Sequence, residues 1–454
     1  MGNTHNDRSE TIIVGLGVTG LSVARYLHAR GENFVVADTR ESPLGLSELR
    51  ETMPSIPVLL GDLDRDRLCQ AARLIVSPGV GLRTPAILAA RQTGVEITGD
   101  IQIFSQEAKR PIIAVSGSNG KSTVVALTGA ILRAAGLNVA IGGNLDSSQG
   151  MPALDLFNQA EPDFFLLEVS SFQLETTDRL NAEVATVLNL SADHMDRYDS
   201  LEEYHRAKLR IYRGCRQAVV NSDSPYSRPL DCQDIKLWEF GFHNPQINAV
   251  SLLEEREKQY LVHQFERIVA TDELKIVGQH NIANAMAAIA LGAAAGVEIE
   301  PMRQALIRFP GLPHRCQWVA QIEGVDFYND SKGTNVGAAV AAIEGLGQRI
   351  KGQLLLIAGG VAKSADFQPL AAAVKRWARE IILIGQDALE IAGCLDSGLR
   401  THFAAHLEEA VSVAFSSARP GDAVLLSPAC ASFDMFDNFE HRGRVFTAAV
   451  EALQ

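Results

Sequence analysis

The segment Ser116-Gly-Ser-Asn-Gly-Lys-Ser-Thr123 carries the residue types needed to grip a nucleoside triphosphate. Small residues let backbone N–H groups close around phosphate oxygens, and a helix starting after them adds positive potential. Gly117, Ser118, Asn119 and Gly120 would form the cradle for ATP. Lys121 would reach the β- and γ-phosphates, and the hydroxyl of Ser122 or Thr123 would ligate Mg²⁺. Val115 stands where the usual phosphate loop has a glycine. An ordinary strand-to-helix turn is the competing reading.

A second glycine turn, Gly15-Leu-Gly-Val-Thr-Gly20, is followed by Asp38 at the spacing of a ribose-binding acid. Alone it points to an NAD-dependent dehydrogenase. The pattern nevertheless specifies only a tight turn and close approach of a pyrophosphate, so any diphosphate-linked nucleotide fits it. One turn for a sugar nucleotide and one loop for ATP make a coherent pair.

Carboxylate and imidazole groups fall where a metal could meet the ATP. Asp163-Phe-Phe-Leu-Leu-Glu168 reads as a buried strand with a carboxylate at its carboxyl end, the edge where ligands gather in open α/β sheets. Thr186-Val-Leu-Asn-Leu190 is similar and leads to Ser-Ala-Asp-His194. Mg²⁺ prefers oxygen ligands, so His194 is an unusual candidate, and a hydrogen-bonded histidine at a strand end competes with it. Lys208 lies on a helix opened by Ser200-Leu-Glu-Glu203, which fits a capping box. By residue physics alone, Lys208 is a solvated surface lysine.

These residues must be positioned by alternating strands and helices. Apolar runs end at Val14, Asp38 and Val76 in the first section, and at Val115, Asn144, Glu168 and Asn189 in the second. In the third they end at Asp330, Gly359, Gly385 and Ser427. Residues 247–277 alternate polar and apolar segments and predict a few antiparallel strands, and the Ala-rich stretch from Asn281 to Ala295 predicts a buried helix. Phe309-Pro-Gly-Leu-Pro-His314 predicts a hinge. The expected fold is α/β with three domains: a Rossmann-like unit over 1–99, a central ATPase-type parallel sheet with a small antiparallel addition over 100–311, and a Rossmann-like unit over 312–454.

A 454-residue chain with 46% hydrophobic and 21% charged residues is globular. Its net charge of -13 argues against a general nucleic-acid or anionic-membrane binder. The six cysteines are scattered without a CxxC pair, which predicts reduced thiols in the cytoplasm. Met1 to Glu10 is polar, and no run approaches the ~20 apolar residues of a membrane span.

In sequence order the chain shows Gly-Ser-Asn-Gly-Lys-Ser-Thr, Glu168-Val-Ser-Ser-Phe-Gln173 and Asn189-Leu-Ser-Ala-Asp-His194. Tyr204-His-Arg-Ala-Lys208, His280-Asn-Ile-Ala-Asn284, His314-Arg315 and Asn329-Asp-Ser-Lys332 follow. Together they resemble the Mur ligase family over nearly the whole chain. Gly15–Gly20 with Asp38-Thr-Arg40, and Ser427-Pro-Ala-Cys-Ala-Ser-Phe433 through Asn438-Phe-Glu-His-Arg-Gly443, look like its D-glutamate-adding branch; the Asp-Asn-Pro-Arg motif of the diamino-acid-adding relatives is absent.

The resemblance implies a ligase that joins D-glutamate to UDP-N-acetylmuramoyl-L-alanine through an acyl phosphate, releasing ADP and phosphate in peptidoglycan precursor synthesis. It implies a monomer using ATP and two Mg²⁺ ions. Lys121, His194 and Lys208 would be the catalytic set; Ser122, Glu168, His194 and Lys208 would hold metal, with Lys208 carbamylated by CO₂. Asn284, Arg315 and Asp330 would contact ATP. Leu16, Val18, Thr19, Asp38, Thr39, Arg40, Ser77, Gly79 and Asn144 would take the UDP-sugar, and Lys332, Thr334, Lys363, Ser432, Phe433 and Phe439 the D-glutamate. The loop Gly359-Gly-Val-Ala-Lys363 lacks the aspartate often found where Val361 stands.

Overall fold

A computed structural model describes residues 10–145, 150–256, 258–276, 278–362 and 365–453. Lys363 and the polar start of the chain up to Ser9 lie outside the described residues. Among those described, three sheets follow one another along the chain.

The first contains β1 (Thr11–Val14), β2 (Phe34–Asp38), β3 (Val58–Leu60), β4 (Arg73–Val76) and β5 (Glu96–Thr98), all parallel, in the order β3-β2-β1-β4-β5. β1 and β2 are buried along their whole length, which is why they read as unbroken apolar runs instead of alternating ones. Strand order reverses between β1 and β4, and the crevice beyond such a switch point is where open sheets bind ligands. The Gly15 turn leaves β1 there, and Ser77 leaves β4.

The second sheet holds β6 (Ile112–Ser116), β7 (Val139–Gly143), β8 (Phe164–Glu168), β9 (Val184–Val187), β10 (Gln217–Asn221), β11 (Lys236–Gly241), β12 (Ala249–Glu255), β13 (Lys258–His263) and β14 (Glu266–Ala270). Its order is β14-β13-β12-β11-β10-β9-β6-β8-β7, parallel except where β12, β13 and β14 pair antiparallel. The antiparallel addition expected over 247–277 is present, although its last strand stops at Ala270. Helices Lys121–Ala134 and Gln279–Ala294 cover one face, packing Val124, Ile131, Ala288 and Leu291 over Ile113, Val115 and Val219. The alanines of the second helix let it lie close to its neighbour.

The third sheet contains β15 (Gln317–Ile322), β16 (Val325–Asn329), β17 (Leu354–Gly359), β18 (Ala378–Ile384), β19 (Arg400–Phe403) and β20 (Ala423–Leu426), in the order β15-β16-β20-β17-β18-β19. Only β15 runs antiparallel, against β16. The two edge strands, β15 and β19, were not expected. Each leaves much of its length in solvent, so neither carries the apolar run that announces a buried strand.

The first two units share one apolar cluster running from Ile13 and Leu21 to Leu167 and Leu174, with Phe104 stacked on Phe157 at 4.7 Å. The third packs its own clusters around Leu356 and Ile357. It follows the helix Ile299–Arg308 through irregular backbone in which Gly311 and His314 adopt positive φ. It meets the central unit through polar contacts, Arg315 to Ser122 and Asn335 to Asn119, and through the close approach of Gly345 to Gly278. The six cysteines are free thiols: Cys215, Cys316 and Cys430 are buried, Cys69, Cys232 and Cys394 half-buried. Among the described residues no helix is long and apolar enough to cross a membrane.

Candidate active site

The carboxyl ends of all three sheets open on one cavity of about 1110 Å³. From the first unit come Val18, Thr19, Asp38, Thr39, Arg40, Ser77 and Gly79. The central unit supplies Ser118, Asn119, Gly120, Lys121, Ser122, Asn144, Glu168 and His194, and the third Arg315, Lys332 and Thr334. A neighbouring cavity of about 320 Å³ shares Asn119, Gly120, Arg315 and Lys332, and adds Thr123, Asn284 and Asp330. The predicted ATP-, metal- and UDP-side residues are therefore largely brought together.

The phosphate loop turns tightly between β6 and the helix Lys121–Ala134. Gly120 has φ of 83°, and a Cβ there would lie 2.3 Å from Asn284 Oδ1, so only glycine fits. Lys121 Nζ donates to the carbonyls of Gly117 and Ser118 at 3.0 Å each, holding the ammonium across the loop mouth. Asn119 N–H donates to Asn189 Oδ1 at 2.9 Å, tying the loop to the end of β9.

Glu168 is buried, and its carboxylate is met by two neutral donors, Ser122 Oγ at 2.7 Å and Asn144 Nδ2 at 3.1 Å. An oxygen-rich donor set of this kind, with a carboxylate at the mouth of a phosphate loop, fits Mg²⁺, which is held by few protein groups plus phosphate and water. Among the described residues no three His, Cys, Asp or Glu groups cluster as a ready-made metal cage. His194 is held in left-handed backbone at φ 57°, with Nε2 3.5 Å from Asp193 Oδ2.

Lys208 corrects the surface reading. It is 2% exposed, lies beneath the phosphate loop and donates to the Gly117 carbonyl at 2.9 Å. Burial, and then the nearby Lys121, push its ammonium well below the ordinary lysine value. The capping box is half made: Ser200 Oγ accepts from Glu203 N–H, but the Glu203 carboxylate turns to Asp199 N–H and Arg83.

In the first unit the glycine turn is closed from three sides. A Cβ on Gly20 would sit 1.8 Å from the Gly15 carbonyl, and Ser77 Oγ donates to that carbonyl at 2.8 Å. Asp38 accepts from Leu16 N–H at 2.6 Å and from Arg40 through both backbone and guanidinium. Burial opposes its charge, yet the Arg40 side chain and these N–H groups outweigh burial and hold the carboxyl down at about 2. Leu16 itself is wholly buried; its side chain packs in the core and does not line the cavity.

The predicted amino-acid pocket is assembled only in part. Lys332 Nζ lies 3.6 Å above the Phe439 ring, and Lys332 and Thr334 face the cavity. Ser432 is buried, Phe433 is 74% exposed, and neither they nor Phe439 line the cavity. At the altered loop, Val361 exchanges backbone hydrogen bonds with Ala431, and Asp387 accepts from Ala362 N–H at 2.7 Å.

Asp330, at the end of β16, is buried against the Ser427 hydroxyl and Cys316 N–H. Burial pushes its carboxyl up to about 7 from 3.8, against the pull of those two donors and of Arg315 and Arg442. Between those values the folded chain keeps a proton that the unfolded chain has lost. Its contribution is therefore complete below about pH 4 and declines until about pH 7, a loss on the order of 4 kcal/mol. Melting curves across this range are expected to fall more steeply for the wild type than for Asp330→Asn; parallel curves would contradict the assignment.

Sequence reasoning assigns no site role to the polar side chains of Gln173, Asp193, Asn335 and Glu440, which also line the cavity. Asn335 caps the helix Val336–Gly347 and donates to Asn119 Oδ1 at 3.2 Å. Its position before an apolar helix was a readable cap signal, but its reach to the phosphate loop exists only in three dimensions.

Residues 9–99 match the Mur ligase MurD-like N-terminal domain, 115–292 the Mur ligase middle domain, and 314–430 the Mur ligase glutamate ligase domain. The UDP-N-acetylmuramoylalanine–D-glutamate ligase of Pseudomonas aeruginosa is 53% identical over 442 residues, covering 97% of this chain and 98% of that protein. The protein of the same name from Marinobacter nauticus is 50% identical over 443 residues, covering 98% of each. Among solved structures, UDP-N-acetylmuramate-alanine ligase from Thermotoga maritima aligns with a TM-score of 0.63 at 20% identity, covering 98% of this chain and 100% of that one. MurF from Acinetobacter baumannii aligns at 0.64 and 19%, covering 98% and 92%. At such identities these two structures bear on the fold alone, and they share its three α/β units.

Proposed function

The chain belongs to the Mur ligase family, and from that premise we infer that it joins D-glutamate to UDP-N-acetylmuramoyl-L-alanine at the expense of ATP, a step of peptidoglycan synthesis. The observation that carries this reading is the single cavity onto which a glycine turn, a phosphate loop and a cationic third-unit wall all open.

A carboxylate is a poor electrophile, because attack by an amine would have to expel oxide. Phosphorylation solves this. The alanyl carboxylate attacks the γ-phosphorus of ATP and ADP leaves; the D-glutamate amine then adds to the acyl carbon, and the tetrahedral adduct expels phosphate and loses a proton. Lys121 neutralises charge on the transferring phosphoryl group. Ser122, Glu168, His194 and a carbamylated Lys208 would hold two Mg²⁺ ions, which when bound neutralise phosphate charge. Asn284, Arg315 and Asp330 take the rest of the nucleotide. Val18, Thr19, Arg40, Ser77, Gly79 and Asn144 face the uridylyl substrate, with Asp38 setting the turn and Arg40. Lys332 and Thr334, with Lys363, Ser432, Phe433 and Phe439, form the D-glutamate side, which closure of the third unit would complete. The three units divide near residues 99 and 311, and the protein works as a cytoplasmic monomer.

Phosphate release measured with ATP, Mg²⁺ and UDP-N-acetylmuramoyl-L-alanine tests the reading. Release is expected with D-glutamate and not with L-glutamate. Equal rates with both, or release only with a different amino acid, would reassign the specificity.

A further inference from the structure

Arg197 sits where three segments meet, and no part of the mechanism above uses it. Its Nη1 donates to the Pro78 carbonyl at 2.6 Å, and its Nη2 to the Val80 carbonyl at 3.3 Å and to Glu175 Oε2 at 2.7 Å. The guanidinium carbon lies 4.0 Å above the ring of Phe172. That ring also meets the His194 imidazole, edge-on at 4.8 Å between centroids, and the Tyr198 ring, tilted at 6.1 Å. Arg197 N–H also donates to the His194 carbonyl at 3.0 Å.

Each contact has a meaning for the site. Pro78 and Val80 belong to the turn after β4, closed by Val80 N–H on the Ser77 carbonyl, and Ser77 in turn fixes Gly15. Phe172 and Glu175 belong to the short helix Ser171–Glu175 that follows Glu168. His194 adopts a left-handed backbone that a non-glycine residue keeps only when its surroundings hold it. Arg197 is mostly buried, at 16% side-chain exposure, as is Glu175 at 17%. A planar group with several fixed donors can hold two carbonyls and a carboxylate while stacking on a ring; a lysine cannot.

We propose that Arg197 is a positioning residue that couples the seating of the uridylyl substrate on the turn Ser77–Val80 to the orientation of His194, through Phe172. The inference rests on assigning the first-unit crevice to that substrate. A substrate pressing on the Ser77–Val80 turn fixes the carbonyls that Arg197 holds. The guanidinium then fixes the Phe172 ring, and the ring fixes the imidazole beside the phosphate loop. The acyl phosphate would form readily only when the carboxylate to be activated is in place.

A second bridge joins the same two regions and serves as the internal control. Arg83 pairs with Asp199 at 2.6 Å and Glu203 at 2.7 Å, but all three side chains are 42% or more exposed. Exposed pairs of this kind contribute little.

The test compares Arg197→Lys, Phe172→Leu, their double variant and Arg83→Ala in steady-state turnover with all three substrates. Arg197→Lys and Phe172→Leu are each expected to lower kcat by roughly 10- to 100-fold, as loss of groups that orient a metal-site ligand does elsewhere. KM for ATP should stay near the wild-type value, and the double variant should be no worse than either single one. Arg83→Ala should keep wild-type kcat. A wild-type kcat in Phe172→Leu, a loss confined to the uridylyl KM, or an equal loss in Arg83→Ala would each overturn the coupling. A wild type unable to use the uridylyl substrate would overturn the substrate assignment and the coupling with it.

Discussion

Replacing Lys121 with alanine is expected to lower turnover by roughly 10²- to 10³-fold, the usual cost of removing one preorganised donor aimed at developing charge. The structure gives the reason for preorganisation. The ammonium is already held at the loop mouth by the Gly117 and Ser118 carbonyls, so no reorientation from bulk solvent is needed when phosphate arrives. The helix N-terminus behind it and the Ser122 hydroxyl beside it remain in the variant, so nucleotide binding should weaken far less than turnover. Steady-state phosphate release with saturating substrates measures the effect. Near-normal turnover in Lys121→Ala would remove the loop from the mechanism.

The second large effect concerns Lys208. A charged amine in this position would be buried and would face Lys121, which is why its ammonium is disfavoured. A neutral amine adds to CO₂ and, on losing a proton, becomes a carbamate, an anion with two oxygens suited to Mg²⁺. Assays in CO₂-depleted buffer should therefore show reduced turnover that returns when bicarbonate is added. Lys208→Ala is expected to lose on the order of 10²- to 10³-fold, comparable to other losses of charge stabilisation at a reacting centre, and to ignore bicarbonate. Wild-type turnover independent of CO₂, with no carbamate carbon seen after labelled bicarbonate, would show that Lys208 acts as a plain amine.

Much of the architecture was legible in residues. Strand ends predicted at Val14, Asp38, Val76, Glu168 and Gly359 fall where β1, β2, β4, β8 and β17 end. These strands are buried on both faces, and burial forces an apolar run that stops when the chain reaches the ligand edge. The edge strands were not legible, since β19, Arg-Thr-His-Phe, has too little burial to impose a pattern.

The site divides the same way. Phosphate loops are local devices, and Gly120 and Lys121 announce themselves within eight residues. Lys208 could not, because its burial comes from a loop 91 residues away. Nor could Asp38, whose carboxylate is consumed in holding Leu16 and Arg40, a role that spacing alone cannot separate from binding a ribose. Leu16 sits inside the glycine motif and turns its side chain into the core. Ser432 and Phe433 carry the family's residue types but stand outside the cavity.

Oxygen tracing settles whether a carboxyl group is activated by phosphorylation. If UDP-N-acetylmuramoyl-L-alanine carries heavy oxygen in its alanyl carboxylate, an acyl phosphate must hand one of those atoms to the departing phosphate. Mass analysis after turnover with ATP and D-glutamate should find the label in inorganic phosphate. Unlabelled phosphate alongside amide product would contradict the account.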